Sequence, residues 1–269
     1  MERYRATRIV SSPLNGEPAT GETMSLIAEE PLSIRVQGRP YMVVMRTPGA
    51  ELAHAAGLCL AEGLIRQPSD IAQLAFCDGD DTNTVTVTLQ EHCADRLTQR
   101  GDRRAYISQS GCGLCGKELI EDIHTEIRPL SGLTAIPLSR VSNALADLPR
   151  QQPLREQTRA AHAAAIHDQE GLLLTAAEDV GRHNALDKAI GRLFLDDRLQ
   201  SAAMIVLSSR ISYELVQKAA CARIPIIVAV SRPTSLAVAL AERLNIALAS
   251  RRPGGGLWVY TAAHRLLPD

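Results

Sequence analysis

Apolar and polar positions along this chain keep a different rhythm in each half. Residues 1–24 are polar and broken by Pro13, Asn15-Gly16, Pro18 and Gly21, which predicts an extended arm. Leu32-Ser-Ile-Arg-Val36 and Tyr41-Met-Val-Val-Met45 then flank Gln37-Gly38-Arg39, a hairpin signal. From Pro48 onward, Leu52, Ala55, Ala56, Leu60, Leu64 and Ile65 recur at the spacing of one helix face. Ile71 to Phe76 and Val85 to Leu89, parted by Asp78-Gly79-Asp80-Asp81, predict a second hairpin. A polar connection follows, then a glycine-rich loop at 108–117, a helical pattern from Glu118 to Ile123 and a short helix from Ser139 to Leu148.

The second half alternates unbroken apolar runs with amphipathic helices. Ala163 to Ile166 and Leu172 to Thr175 bracket Asp168-Gln-Glu-Gly171, a further hairpin, and a long helix runs from Asn184 to Leu195. Ala202 to Leu207, Pro225 to Val230 and Ile246 to Ala249 read as strands, with helices at Tyr213 to Ala222 and Ser235 to Leu244 between them. Trp258-Val-Tyr260 adds a last strand after three glycines. Continuous apolar strands between helices need cover on both faces, so an α/β/α sandwich is predicted for residues 151–269. A smaller α+β lobe is predicted for 25–150, with the arm at 1–24 ahead of it.

Composition narrows the function. Lys and Arg total 29 against 30 for Asp and Glu in 269 residues, so no global charge draws the chain to nucleic acid or a membrane. Aromatic residues make up 3%, too few for base-stacking platforms. No run of about 18 apolar residues occurs and the N-terminus lacks an apolar signal core, so a soluble, cytoplasmic protein is expected.

Of six cysteines, Cys59 and Cys221 sit in apolar helical patterns as small buried hydrophobes, while Cys77 ends a strand and Cys93 follows His92 in a polar connection. Cys112 and Cys115 differ. They lie in Ser110-Gly-Cys-Gly-Leu-Cys-Gly-Lys117, where glycines let the backbone turn and both thiols face a visitor. Lys117 and the N–H groups of a following helix favour thiolate. Such a pair can share a metal, form a disulfide or pass sulfur. Structural zinc needs four ligands, and no second Cys-x-x-Cys is present to complete them, so no metal site is assigned. The surrounding pattern also departs from a small thioredoxin-like dithiol fold.

Strand-to-helix junctions supply a second chemistry. Leu207-Ser-Ser-Arg-Ile-Ser212 and Val230-Ser-Arg-Pro-Thr-Ser235 each put serines and an arginine where a helix begins, a setting that attracts phosphate. Ordinary capping by Ser212 and by Thr234 or Ser235 is the plainer reading of either alone. Two adjacent copies, with Arg210 and Arg232, point to an anion site. Ser250-Arg-Arg-Pro-Gly-Gly-Gly256 is a third candidate, otherwise an exposed turn. In Glu178-Asp-Val-Gly-Arg-His-Asn-Ala-Leu-Asp-Lys188, Asp179 is placed to cap, Gly181 to bend the backbone, and His183 or Asn184 to reach a ligand. His162 stands in a small-residue strand that can face the same cavity.

These motifs together resemble the FdhD family of formate dehydrogenase accessory sulfurtransferases, over roughly residues 28–262. The match rests on the cysteine loop at 110–117, the 178–188 string, Arg210-Ile-Ser212 with Glu214 to Lys218, Pro233-Thr-Ser-Leu-Ala237, Ala241-Glu242 and the Thr47 to Gly63 helix. The resemblance implies a cytidine-deaminase-like sandwich and a homodimer. It implies that Cys112 takes persulfide sulfur from a cysteine desulfurase, assisted by Cys115. The sulfur then goes to the molybdenum (or tungsten) of a bis(molybdopterin guanine dinucleotide) cofactor before its insertion into formate dehydrogenase. That cofactor is a bound substrate, and no permanently bound one is expected. Its guanine nucleotide is expected in the C-terminal sandwich, with the family's late loop at Ala249, Ser250, Arg251, Arg252, Pro253 and Gly254. Arg210, Ser212, Thr234 and His183 complete the candidate set. The other reading is a chaperone that binds the cofactor without carrying sulfur. A zinc deaminase is excluded, since no His- or Cys-x-Glu element precedes the cysteine pair. The chain departs from the family pattern at Ser209-Arg210, at Arg159-Ala160, where two glycines are expected, and at Arg232.

Overall fold

The structure is a computed structural model that describes residues 2–8, 20–78, 81–93, 96, 127–132 and 134–269. Strands β1 (Glu2–Arg8) and β2 (Thr20–Leu26) pair antiparallel. Strands β3 (Glu30–Val36) and β4 (Arg39–Arg46) form the first predicted hairpin, turning on Gln37 (φ 52) and Gly38 (φ 73). Two successive left-handed residues give the tight turn whose twist matches the strands it joins. The second hairpin is β5 (Ile71–Asp78) and β6 (Asp81–Leu89). A parallel pairing of β3 with β6 makes one four-stranded sheet, in the order β4-β3-β6-β5. Leu32, Ile34 and Val36 alternate inward with Val85, Val87 and Leu89, as period-two side chains must. They bury beneath helix α1 (Glu51–Ala61), which begins after left-handed Ala50 and stops before Gly63 turns at φ 71.

Residues 136–269 build a six-stranded sheet. Short strand β7 (Ile136–Pro137) leads into helix α2 (Leu138–Asp147), and a one-turn helix α3 (Pro153–Thr158) precedes the sheet. Its strands are β8 (His162–His167), β9 (Leu173–Asp179), β10 (Met204–Leu207), β11 (Ile226–Ala229), β12 (Ala247–Arg251) and β13 (Leu257–Thr261), in the order β13-β12-β11-β10-β8-β9. The run β10-β11-β12 is parallel, crossing over through α5 (Tyr213–Cys221) and α6 (Ser235–Leu244), while the remaining pairings are antiparallel. A parallel strand needs such a crossover, which is why the helices recur between the apolar runs. Helix α4 (Arg182–Leu195) follows β9 and packs on β8 and β9.

Both faces of this sheet are covered. Ile205, Leu207, Ile227 and Leu248 join the core shared with α1, α4, α5 and α6, whereas Met204, Val206, Val228 and Ala249 join Val141, Ala144 and Leu145 of α2 on the other side. Short β14 (Leu266–Leu267) pairs with β7 at the margin of the second core. Buried Arg265 ties this corner together by donating to the carbonyls of Asn245 (2.9 Å), Thr134 (3.2 Å) and Leu130 (3.4 Å). The α/β reading therefore holds, with helices on the two faces of a mixed sheet. The first core continues through α1 into the four-stranded sheet.

The join depends on close helix contact. A Cβ at Gly57 of α1 would overlap the backbone carbonyl of Asp187 in α4, and one at Gly191 would overlap that of Ala53. Only glycine lets the two backbones approach so closely. Arg159 sits at φ 58, at the end of α3. It stands where the resemblance expects glycine, and keeping the left-handed backbone with a side chain costs roughly 1–2 kcal/mol.

Candidate functional site

Because β10, β11 and β12 run parallel, their carboxyl ends and the loops after them share one edge of the sheet, where open α/β sheets bind ligands. The loops at 208–212 and 230–234 lie side by side. Ile211 bridges to Pro233, and the Thr234 N–H donates to the Ile211 carbonyl at 3.0 Å. Thr234 is a working cap, its hydroxyl accepting from the Ala237 N–H at 3.3 Å. Ser212 holds the equivalent place before α5 but makes no cap bond; its hydroxyl lies 3.1 Å from His183 Nε2. That nitrogen is also 3.6 Å from a Glu214 carboxylate oxygen. The nearby His183 imidazole, against the upward push of burial, and then the Ser212 hydroxyl hold the Glu214 carboxyl down at about 2. His183, Ser212 and Glu214 are thus one cluster, with exposed Arg210 beside it in the same loop.

The third candidate loop lies on the α2 side. Ala249 and Ser250 are enclosed in β12, and the Ser250 hydroxyl bonds the Tyr260 hydroxyl at 2.9 Å. Arg251, Arg252, Pro253 and Gly254 are exposed, and the chain turns back through Gly254, Gly255 and Gly256 at φ 84, 106 and 78. The Arg252 guanidinium stacks 5.4 Å from the Trp258 ring centre, a cation–π contact. A hollow of about 580 Å³ opens here, lined by Arg251 to Leu257, by Val230 and by α2. Arg210, Ser212 and His183 do not line it. The candidates therefore fall into two groups, joined through the 230–234 loop.

Most of the 178–188 string is architecture. Asp179 is fully buried; one carboxylate oxygen accepts from the N–H of Gly181 (2.8 Å) and from Asn184 Nδ2 (2.9 Å). The other accepts from the Thr47 N–H (3.0 Å) and pairs with Lys188 Nζ (2.7 Å). Lys188 also donates to the Thr47 carbonyl at 2.6 Å, and Asn184 to that of Met45 at 2.8 Å. Asp187 accepts Lys218 on both oxygens at 2.8 Å. Burial pushes the Asp187 carboxyl up and the Lys188 ammonium down, each against the pull of its partner. Asn184 is thus a structural residue, and Thr47 and Lys188 are network members that spacing did not single out. His162 pairs with Asp179 in the sheet register, and burial, then Arg182 and Arg155, push it down.

His54 sits buried within this network, held down at about 3 by desolvation and then by Lys188 and Lys218. It is neutral in the native state and takes a proton near 6.5 once unfolded. Stability is therefore full above pH 6.5 and falls as pH drops towards 3, by about 1.4 kcal/mol for each unit of separation. Urea midpoints measured from pH 7 to pH 5 should fall, and fall less steeply in His54→Gln. A slope unchanged by the substitution would remove His54 from this account.

Cys112 and Cys115 lie outside the described residues, as does the helical pattern from Glu118 to Ile123. Cys59 is buried as expected, whereas Cys221 is only half-buried, its Sγ 3.4 Å from the Ala61 carbonyl. Cys93 and His92, which nothing in the sequence positions, come together with Asp70, their ligand-type atoms within 4.8 Å of one another. Asp70 is already engaged. His92 approaches one oxygen at 3.1 Å, while the Arg66 N–H (2.8 Å) and Arg96 (2.7 Å) hold the other. Burial pushes Asp70 up, but these donors overcome it and hold the group at about 2. Burial, then Asp70, pushes the Cys93 thiol up, which makes it a poor nucleophile.

Among the described residues no helix is long and apolar enough to cross a membrane. Sheet, crossover helices and basic serine-bearing strand ends define a mixed α/β protein of the kind that presents loops to a ligand along one sheet edge. The family model described as FdhD/NarQ family matches residues 27–267. A protein from Streptomyces coelicolor named sulfur carrier protein FdhD is 37% identical over 275 residues, covering 98% of this chain and 95% of its own. One of the same name from Bordetella bronchiseptica is 37% identical over 245 residues, covering 91% and 88%. The chain belongs to the FdhD/NarQ family. In fold it is similar to the crystal structure of a candidate formate dehydrogenase accessory protein from Desulfotalea psychrophila, with TM-score 0.75, 24% identity and 99% of both chains covered.

Proposed function

We propose that this protein is a sulfurtransferase that carries sulfur on Cys112 for the activation of formate dehydrogenase. The Cys112 thiolate attacks the terminal sulfur of a persulfide held by a cysteine desulfurase, the desulfurase thiolate leaves, and a persulfide forms on Cys112. Cys115 assists. The outer sulfur then passes to the molybdenum of bis(molybdopterin guanine dinucleotide), a bound substrate whose reduced metal supplies the two electrons that make it sulfide while the Cys112 thiolate leaves, before that cofactor enters formate dehydrogenase. The carrying observation is the Cys-x-x-Cys pair itself, present in a chain matched to this family along residues 27–267, whose relatives are named sulfur carrier proteins.

The nucleotide part of the substrate fits the exposed strand-end loops. Arg251, Arg252, Pro253 and Gly254 border an open hollow and offer two guanidinium groups beside glycine backbone that can approach a phosphate closely. Ala249 and Ser250 support that loop from within β12. Arg210, Ser212, Thr234 and His183 form the neighbouring polar edge. The reading includes a cytidine-deaminase-like topology for the sandwich, a cytoplasmic location and a homodimer.

Incubating the purified protein with a cysteine desulfurase and cysteine labelled at sulfur tests the proposal. Label that remains on the folded protein and is released by thiol is expected. Guanosine diphosphate binding without any label would leave a cofactor chaperone and remove the carrier reading.

A further inference from the structure

A second hollow, of about 640 Å³, lies away from the strand-end loops. Its floor is apolar, from Leu60, Ile65, Ile127 and Ala220, and its walls carry four arginines, Arg66, Arg96, Arg128 and Arg223. No acidic side chain is among its described lining residues. Arg96 is paired with Asp70 at 2.7 Å, and Arg223 donates to the Arg128 carbonyl at 2.9 Å. Among the described residues no carboxylate pairs with Arg66, Arg128 or Arg223. Arg96 and Ile127 also bracket, in sequence, the run 97–126 that contains Cys112 and Cys115.

The surroundings discriminate between kinds of anion. Helices α1 and α5 give the hollow their C-terminal turns, through Leu60 and through Ala220 with Cys221. Each of these helices turns its C-terminal, negative end to the hollow, not the N-terminal N–H groups that favour a phosphate. Part of the arginine charge answers those dipoles. Long guanidinium forks around an apolar floor match instead a segment that brings aliphatic side chains to the floor and carboxylates to the walls.

We infer that this hollow docks an acidic, partly apolar segment of the protein that supplies sulfur to Cys112. The inference rests on the carrier reading and adds where the donor sits. Sulfur exchange at Cys112 needs the donor thiol alongside residues 97–126, and the hollow stands at both chain ends of that run. Its arginines steer an acidic donor to it from solution.

The test compares two sulfur sources on the full chain carrying Arg66→Glu and Arg223→Glu. With the desulfurase at low salt, labelling of Cys112 should slow about tenfold and lose most of its salt dependence, as expected for rim charges. With inorganic polysulfide, which needs no docking, labelling should match the unsubstituted protein. Desulfurase labelling at the unsubstituted rate would overturn the inference. Equal slowing with both sources would also overturn it, because the arginines would then act on Cys112 rather than on the donor. Pyrophosphate binding lost in the same variant would assign the hollow to a small anion instead. Unsubstituted protein that takes no sulfur from either source would sink the carrier reading itself.

Discussion

Replacement of Cys112 by alanine is expected to reduce thiol-releasable sulfur label to background and to abolish formate dehydrogenase maturation in a host that relies on this protein. The methyl group has neither a nucleophile to attack a persulfide nor a sulfur to hold the product, so no residual turnover is expected through that position. Cys115→Ala should differ. It leaves the Cys112 thiol in place, so label should still appear, with delivery slowed. The readouts are label on the intact protein, located by mass spectrometry, and formate oxidation in extracts. Circular dichroism matching the unsubstituted protein establishes that the variant is folded. Maturation that persists with Cys112→Ala would transfer the role elsewhere or remove it.

The second large effect is on folding. Asp179→Ala removes an acceptor for two backbone N–H groups and for Asn184, and leaves the Lys188 ammonium, 3% exposed, without its carboxylate. Breaking a buried pair from one side costs about 3–5 kcal/mol, a large share of the stability of an ordinary domain. Urea unfolding should show that loss, or the protein should fail to accumulate. Adding Lys188→Met to Asp179→Ala should return part of it, since the second change removes the orphaned charge. A single variant with an unchanged midpoint would mean that the 178–188 string is kept for ligand contact rather than for architecture.

Elements governed by local rules were legible in the sequence. Gln37-Gly38 specified its hairpin because only a few residues tolerate two left-handed positions in succession, and the alternation of apolar runs with helices specified the crossovers of the β10-β11-β12 run. Pairings between distant residues were not legible. Nothing near Asp179 signals that Thr47 will supply its N–H, and nothing near β3 signals its parallel pairing with β6. Ser212 illustrates the same limit at the site. Spacing marks it as a helix cap, but its hydroxyl lies against His183, which arrives from another helix. Likewise His92 and Cys93 gain a partner in Asp70 only once β5 and β6 are folded back on each other.

The glycine contact between α1 and α4 bears on how the protein is made. During synthesis α1 leaves the ribosome long before Arg182 to Leu195 exist, and among the described elements packed on it only the four-stranded sheet comes earlier than these residues. Until translation passes residue 195, the side of α1 that receives α4 lacks that partner helix, a condition under which holding chaperones engage. The earlier sheet must wait for its partner helix.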